Sequence, residues 1–271
     1  LLAPLSDYTA VNMDFYPMIW NDKYVRARIF HMVYENAPAL LGFNEPNFVE
    51  QANMEPNRAA RFWPKLEQLA SEKNIPTLVS PAVNFSPDTW GPIEWLREFF
   101  SNCPGCRVDA IAMHSYTCDA SFLDQHIRLY YEFRLPIWLT EFACGNDPTK
   151  ANANGQATYM KDAIPYLENN PFVEKYAWYS KDVPGNDETS ASASLVTEAG
   201  LTSLGELYKA LPSVSSKPVL YPTTSPTTSR SPSSSSSPSR IVRPSMTPSL
   251  STMPSIYFPP TECAAVDQDP Y

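Results

Sequence analysis

Residues 40–47 read LLGFNEPN, a short apolar run that leads directly into Asn44 and Glu45. A second run of this kind, IWLTEFA at residues 137–143, contains Glu141. A glutamate at the carboxyl end of an apolar strand is costly to bury unless it has hydrogen-bond partners or a chemical task. In β/α barrels this end of the strands faces the active-site mouth. The two runs therefore predict a pair of carboxylates on one rim.

The segments around these runs predict a parallel sheet. Short β-type segments alternate with helical ones as far as Leu211. Near-continuous apolar strands separated by amphipathic helices are typical of a sheet that is buried on both faces. The predicted strands are residues 12–20, 40–45, 77–83, 110–116, 137–143 and 175–180, and the predicted helices lie near residues 22–36, 57–73, 89–101, 119–134, 155–170 and 201–211.

The composition changes sharply at Pro212, where Ser, Thr and Pro begin to dominate, as in SPTTSRSPSSSSSPSR. Such a segment cannot bury enough apolar surface to offset the entropy of ordering it. We therefore predict a folded domain at 1–211 and a disordered linker at 212–256. The stretch at 257–271 regains aromatic residues and could begin a further module.

The charge of the chain argues against two classes of partner. The formal net charge is −9, and an acidic surface repels phosphate backbones and anionic membranes. No apolar run approaches the ~20 residues that span a bilayer. We therefore expect no nucleic-acid partner and no membrane insertion.

The two glutamate-containing runs resemble the clan A glycoside hydrolases, which place an Asn-Glu pair after barrel strand four and a nucleophilic Glu after strand seven. More narrowly, the chain from about Asn12 to Leu211 resembles glycoside hydrolase family 128, the alkali-sensitive-linkage-like catalytic domains known as β-1,3-glucanases. Six segments in the same order carry this resemblance: PMIW (17–20), LLGFNEPN (40–47), SPAVN (80–84), HSY (114–116), WLTEFAC (138–144) and AWYS (177–180).

The resemblance implies a (β/α)8 TIM barrel and a polysaccharide substrate. It also implies that Glu45 is the acid/base, that Glu141 is the nucleophile, and that Asn44 hydrogen-bonds the sugar 2-hydroxyl. Carboxyl groups about 5 Å apart would make the reaction retaining, whereas a gap of roughly 6.5–9.5 Å would admit water and mean inversion.

Four further residues are carried over from the family to the same rim. The resemblance implies that His114 lies on the rim and that the hydroxyl of Tyr116 lies near the nucleophile. It also implies that Trp178 forms an aromatic floor under the sugar and that Trp20 lines the mouth. A lone histidine at a strand end is more often structural, and the three aromatic residues could simply pack the upper barrel layer, so these alternatives stay open.

The barrel implied by the resemblance is two strands short. The acid/base follows strand four in this family, so the segment that ends at Trp20 corresponds to strand three, and five strands follow it. We therefore expect strands three to eight of a barrel that lacks its first two strands, in a sequence incomplete at its amino terminus. The alternative is a genuine open sheet of six strands.

The cysteines indicate the location of the protein. Cys118 and Cys144 both follow strand ends on neighbouring loops, so a disulfide between them is geometrically reasonable. A bridge between Cys103 and Cys106 would then leave only Cys263 unpaired. This pattern suits an oxidising, extracellular or cell-wall environment, with buried free thiols in a cytosolic protein as the alternative.

We expect no metal and no cofactor, because a zinc site at the CPGC motif would need a second ligand pair and the three histidines are not at ligand spacing. The chain has one glycosylation sequon, Asn84-Phe85-Ser86, at the end of a predicted strand. A glycan there would obstruct the cleft, so we predict that Asn84 is mostly unmodified.

These observations favour an endo-acting β-1,3-glucan hydrolase that works as a monomer by double displacement. Two alternatives stay open. One is a non-catalytic barrel that binds glucan or cell wall, and the other is a clan A hydrolase of a different β-glycan.

Overall fold

The structure is a computed structural model that describes residues 14–26, 29–85, 90–179 and 192–213. The linker predicted at 212–256, apart from its first two residues, and the segment at 257–271 lie outside the described residues.

Five parallel strands follow one another along the described chain, preceded by a shorter parallel segment. Residues 17–20 form that segment: the N–H of Ile19 donates to the carbonyl of Leu41 at 3.0 Å, and the N–H of Leu41 donates to that of Pro17 at 2.8 Å. The strands are β1 (Ala39–Leu41), β2 (Thr77–Val79), β3 (Ile111–Ser115), β4 (Ile137–Phe142) and β5 (Val173–Trp178).

The strands pair in chain order. β1 pairs with β2, and β3, β4 and β5 form a continuous sheet. Between these two groups, isolated bridges join Val79 to Ala110 and Val83 to Met113. The predicted α/β class and the parallel order are therefore confirmed, although the described residues form no closed barrel.

The strands β1 to β4 are largely buried on both faces, as their apolar residues predicted, whereas only Val173 and Trp178 of β5 are buried. Successive strand residues alternate between two cores, which follows from the two-residue period of a strand. Ile111 and Met113 lie in the larger core with the helices. Ala112 and Trp138 point to the other face, into a smaller core of mostly small side chains.

Helices separate the strands, and all six predicted helices begin within three residues of an observed helix. None of the described helices is long and apolar enough to cross a bilayer. The helices are α1 (Asp22–Arg26), α2 (Pro56–Glu72), α3 (Pro92–Asn102), α4 (Ala120–Leu129), α5 (Ala153–Asn169) and α6 (Ser203–Ala210), with 3-10 turns at Ile29–Met32 and Tyr130–Phe133.

The single helix predicted at 22–36 is wrong. α1 covers Asp22–Arg26, Ile29–Met32 is a 3-10 turn, and residues 33–36 are not helical, with a left-handed φ of 61° at Asn36. The run RIFHMVY is poor in strong helix formers, so amphipathic spacing alone did not sustain a helix there.

The sequence also failed to predict a small hairpin before the last helix. Val196–Thr197 (β6) pairs antiparallel with Gly200–Leu201 (β7), and Gly200, the first residue after the turn, takes a φ of 114°. α6 therefore begins at Ser203 rather than at residue 201. Thr202 caps it by accepting a 3.0 Å hydrogen bond from the N–H of Gly205.

Candidate active site

Glu45 and Glu141 converge at the carboxyl ends of their strands. The Nδ1 atom of His114 lies 2.7 Å from Oε1 of Glu45 and 3.3 Å from Oε2 of Glu141. A carboxylate oxygen of Glu45 and a carboxylate oxygen of Glu141 lie within 4.8 Å of each other. His114 is fully buried, but the side chains of Glu45 and Glu141 are 9% and 21% exposed. Both carboxylates can therefore meet a bound molecule.

The backbone directly before Glu45 is tightly packed. The segment after β1 passes so close to the segment after β2 that a Cβ at Gly42 would lie 2.9 Å from backbone atoms of Ser80 and Pro81. Only glycine fits this approach. The N–H of Glu45 then donates to the carbonyl of Ala82 at 2.8 Å. Glu45 itself has a φ of 40°, and left-handed non-glycine residues of this kind cluster at functional sites.

An irregularity between β3 and β4 sets the position of Glu141. The register shifts between Met113 and His114, and as a result His114 pairs with Glu141 across the sheet. The hydroxyl of Tyr116, one residue beyond β3, donates to Oε2 of Glu141 at 2.5 Å. Glu141 thus has two donor groups from one neighbouring strand end.

Burial and mutual charge shift the titration of this cluster. Burial raises the pKa of Glu141, and the Glu45 carboxylate raises it further, while His114 and the hydrogen bond from Tyr116 oppose the shift. Burial lowers the pKa of His114, but the two glutamates together outweigh burial and raise it. Burial and the same carboxylates hold the pKa of Tyr116 well above its ordinary value, so its hydroxyl remains a donor.

Of the two neighbouring amides, that of Asn84 contacts Glu45 directly and that of Asn44 is bound to Gln51. The Nδ2 of Asn84 donates to Oε1 of Glu45 at 2.8 Å, and the Nδ2 of Asn44 donates to Oε1 of Gln51 at 3.1 Å. The sequence had identified Asn84 only as a glycosylation acceptor. Its place directly after the strand at 77–83 is the same strand-end signal that identified Glu45.

Comparison with known proteins identifies the family of this chain. A family model described as glycosyl hydrolase catalytic core matches residues 3–208. The crystal structure of a GH128 (subgroup II) endo-β-1,3-glucanase from Sorangium cellulosum is similar with a TM-score of 0.69 and 36% identity, covering 78% of this chain and 88% of that one. The chain belongs to glycoside hydrolase family 128.

Two further relatives differ in how much of their length this family 128 domain spans. A GH128 (subgroup V) exo-β-1,3-glucanase from Cryptococcus neoformans is 29% identical with a TM-score of 0.61, over 73% of this chain and 78% of that one. Alkali-sensitive linkage protein 1 of Schizosaccharomyces pombe is 33% identical over 181 residues, which is 65% of this chain but only 33% of that protein. The chain thus spans about a third of that curated relative.

The two tryptophans predicted to line the mouth of this family 128 domain differ in their surroundings. Trp20 is half-buried, and its carbonyl accepts the N–H of Asn44 at 3.0 Å, which places its backbone beside the glutamate segment. Trp178 is only 7% exposed. Its indole N–H donates to the carbonyl of Ala193 at 2.9 Å, and its ring packs edge-on against Phe142. Its role as a sugar-contacting floor remains a prediction.

Two disulfides are formed in the family 128 domain, Cys103–Cys106 at the end of α3 and Cys118–Cys144 between the loops that follow β3 and β4. The second one ties together the two loops that follow Tyr116 and Glu141. The loops are also joined by the N–H of Gly145, which donates to the carbonyl of Tyr116 at 2.8 Å.

Glu45, His114 and Glu141 are also of the right residue types to hold a divalent metal. However, the 2.7 Å separation of His114 Nδ1 and Glu45 Oε1 is that of a direct hydrogen bond. Because an ionised carboxylate only accepts hydrogen bonds, we assign a proton to Nδ1. The expectation of no metal and no cofactor remains a prediction.

Proposed function

We propose that this domain is a retaining β-1,3-glucan hydrolase in which Glu141 is the nucleophile and Glu45 the acid/base. The observation that carries the proposal is the convergence of their carboxylate oxygens to within 4.8 Å on one rim. Retaining glycosidases hold their two carboxyl groups about 5 Å apart, close enough for a covalent intermediate but too close for an intervening water.

The reaction would proceed in two displacements. A carboxylate oxygen of Glu141 bonds to the anomeric carbon as the bond to the leaving glycosidic oxygen breaks, and Glu45 gives its proton to that oxygen. Glu45 then takes a proton from water, whose oxygen displaces Glu141 and restores the original anomeric configuration.

The surroundings of the two glutamates support this division of roles. Glu141 accepts from the hydroxyl of Tyr116 and lies beside the Nδ1–H of His114, and donors of this kind stabilise an ionised carboxylate. The first displacement requires an ionised Glu141 and a proton on Glu45 when the glycosidic bond breaks.

The β-1,3 linkage and the endo mode of attack come from the similar proteins. The Sorangium structure is of an endo-β-1,3-glucanase and the Cryptococcus structure of an exo-β-1,3-glucanase. The endo mode is proposed here because the endo-acting enzyme is the more similar of the two in both fold and sequence. A long glucan is then the substrate, and no second protein chain is required.

We also propose that residues 17–20 and β1 to β5 correspond to strands three to eight of a (β/α)8 barrel, within a domain at 1–211. The parallel order of these strands and the position of Glu45 and Glu141 three strands apart support this assignment. The two disulfides support an extracellular or cell-wall location.

The proposal is tested by adding the full-length protein to laminarin and following the first product by proton NMR. The β-anomer should appear before the α-anomer. Glu141→Gln and Glu45→Gln should each lower kcat/KM at least about 1,000-fold, in the range seen for removal of one essential catalytic group. Glu132→Gln is the matched control, because Glu132 pairs with Arg97 on the exposed surface.

Three other results would contradict parts of the proposal. Binding of laminari-oligosaccharides without release of reducing ends would favour the non-catalytic glucan-binding alternative. Faster cleavage of a mannan or a mixed-linkage glucan than of laminarin would favour another β-glycan. First appearance of the α-anomer would mean inversion and exclude a Glu141 glycosyl-enzyme.

A further inference from the structure

Asn84 contacts the acid/base candidate from the strand next to it, because β2 lies between β1 and the strands that carry Tyr116 and Glu141. It follows β2, and its Nδ2 lies 2.8 Å from Oε1 of Glu45. The same oxygen lies 2.7 Å from Nδ1 of His114. The hydrogen bonds from Asn84 and His114 therefore share one acceptor, Oε1 of Glu45.

The orientation of the Asn84 amide is fixed by its own neighbours. Its Oδ1 accepts the N–H of Phe85 at 2.8 Å, which leaves Nδ2 to face Glu45. The backbone of Asn84 is clamped by the buried side chain of Asn47, whose Nδ2 donates to the Asn84 carbonyl at 2.8 Å and whose Oδ1 accepts the Asn84 N–H at 3.3 Å. The amide is thus preorganised as a donor.

This geometry has a chemical consequence for a protonated carboxyl group. A neutral carboxyl has one carbonyl oxygen that accepts and one hydroxyl that donates. Donors that converge on Oε1 make it the carbonyl oxygen, and the acidic proton is then carried by Oε2. An acid catalyst needs its proton on the oxygen that faces the leaving group.

We propose that Asn84 is a positioning residue that directs the acidic proton of Glu45 to Oε2 during cleavage of the glycosidic bond. This inference rests on the proposed function, because it assumes that Glu45 is the acid/base. Asn84 would then have a role beyond that of a glycosylation acceptor. The amide nitrogen that would carry a glycan is the same atom that donates to Glu45.

The experiment compares two substrates in the full-length protein. Laminari-oligosaccharides have a poor leaving group that needs protonation, whereas 2,4-dinitrophenyl β-laminaribioside has a leaving group that departs without it. kcat/KM reports the first displacement for both. Glu45→Ala should lose activity on the first substrate and largely keep it on the second, which shows that the pair of substrates reports acid catalysis.

Two substitutions separate the hydrogen bond from the local fold. Asn84→Asp keeps an oxygen that can accept the N–H of Phe85 but replaces the donor to Glu45 with an acceptor. Asn84→Ala removes both interactions. Ser86→Ala is the matched control, because it abolishes the sequon and leaves Asn84 in place, and Asn102→Ala removes an exposed amide bonded to Glu98.

We expect both Asn84 variants to lose about 10- to 100-fold in kcat/KM on the oligosaccharide, the range for leaving a buried acceptor without its donor. On the dinitrophenyl substrate they should stay within about threefold of Ser86→Ala, a difference below 1 kcal/mol. In Asn84→Asp, repulsion between neighbouring carboxylates should also move the alkaline limb of kcat/KM to higher pH, because the acid keeps its proton longer.

Each outcome decides the inference. Equal losses on both substrates would mean that Asn84 only supports the fold of the site, and no loss relative to Ser86→Ala would mean that it has no role; either result overturns the inference. If Asn84→Ala does not fold, Asn84→Asp decides. If the wild-type protein cleaves neither substrate, the proposed function itself fails, and the inference fails with it.

Discussion

The hydroxyl group of Tyr116 donates a 2.5 Å hydrogen bond to Oε2 of Glu141, the same oxygen that lies 3.3 Å from Nδ1 of His114. Glu141 is buried enough for its pKa to rise above the ordinary carboxyl value, and these two donors oppose that rise. The ionised form of Glu141, which the proposed nucleophilic role needs, is therefore stabilised by the Tyr116 hydroxyl and by His114.

Tyr116→Phe should move the acidic limb of the pH profile upward. Loss of the hydroxyl removes an interaction that lowers the pKa of Glu141, so the pKa rises further and activity disappears at a higher pH as the medium is acidified. At the optimum, kcat/KM on laminarin should fall about 10- to 100-fold. Tyr131→Phe is the control, because Tyr131 lies in the 3-10 turn after α4 and its ring packs on Phe172. An unchanged acidic limb would show that Tyr116 does not tune Glu141.

The sequence predicted the parts of this site that depend on strand ends. Glu45 and Glu141 follow apolar runs, and parallel strands bring their carboxyl ends to one edge. The convergence of the two side chains also needs the register shift beside His114, which no hydrophobic period encodes. The contact between Asn84 and Glu45 was missed for the same reason, because it depends on how β1 and β2 are aligned.

Two local features of the backbone explain where the predicted fold was wrong. The amphipathic pattern at 22–36 extended across Asn36, whose left-handed backbone conformation can be recognised only in the structure. The hairpin before α6 consists of two-residue strands, which are too short for an alternating pattern to stand out. The alternation of strand residues between two cores was predictable in β1 to β4, because apolar residues continue through most of each of these strands.

The disulfide between Cys118 and Cys144 should contribute more to stability than that between Cys103 and Cys106. The first closes a loop across 26 residues and the second across only three, and the entropy that a crosslink removes from the unfolded chain grows with loop length. The double variant Cys118→Ser, Cys144→Ser should lose about 2–4 kcal/mol of unfolding free energy. It should also lose activity, because the loops after Tyr116 and Glu141 are released.

Urea unfolding of the two double variants, measured side by side, tests this prediction. The Cys103→Ser, Cys106→Ser variant is the matched control, since it removes the same number of sulfur atoms at a position away from the glutamates. A larger loss of stability in that control would contradict the loop-length argument.

His126 should make the fold less stable in mild acid. Its ring stacks on Phe85 with centroids 3.8 Å apart, and its Nδ1 lies 2.9 Å from the hydroxyl oxygen of Ser115. Burial lowers the pKa of His126 from 6.5 to about 4. Between these two values the unfolded chain binds a proton that the folded chain does not, so the unfolding free energy falls as the pH decreases from about 6.5 to about 4.

The expected loss is of the order of 3 kcal/mol, from a shift of roughly 2.5 pH units at 1.36 kcal/mol each. Unfolding free energies of the wild type and of His126→Gln should be measured across this range. Their difference isolates His126 from the carboxyl groups that also titrate in acid. The unfolding free energy of the wild type should fall more steeply than that of His126→Gln as the pH decreases. Parallel curves of unfolding free energy against pH would show that the fold does not keep His126 neutral.

Gly42→Ala should impair activity more than its small size suggests. The added Cβ would lie 2.9 Å from backbone atoms of Ser80 and Pro81, which cannot move aside as the end of a side chain can. Overpacking of this kind costs about 1–3 kcal/mol. Because Gly42 lies three residues before Glu45, the proposed acid/base, the displacement should also move Glu45, and kcat/KM on laminarin should fall even where the protein remains fully folded. Gly91→Ala is the control, since its added Cβ meets only the flexible end of Glu94. Equal activity of the two variants, measured well below their melting temperatures, would show that the close approach of the β1 and β2 segments does not position Glu45.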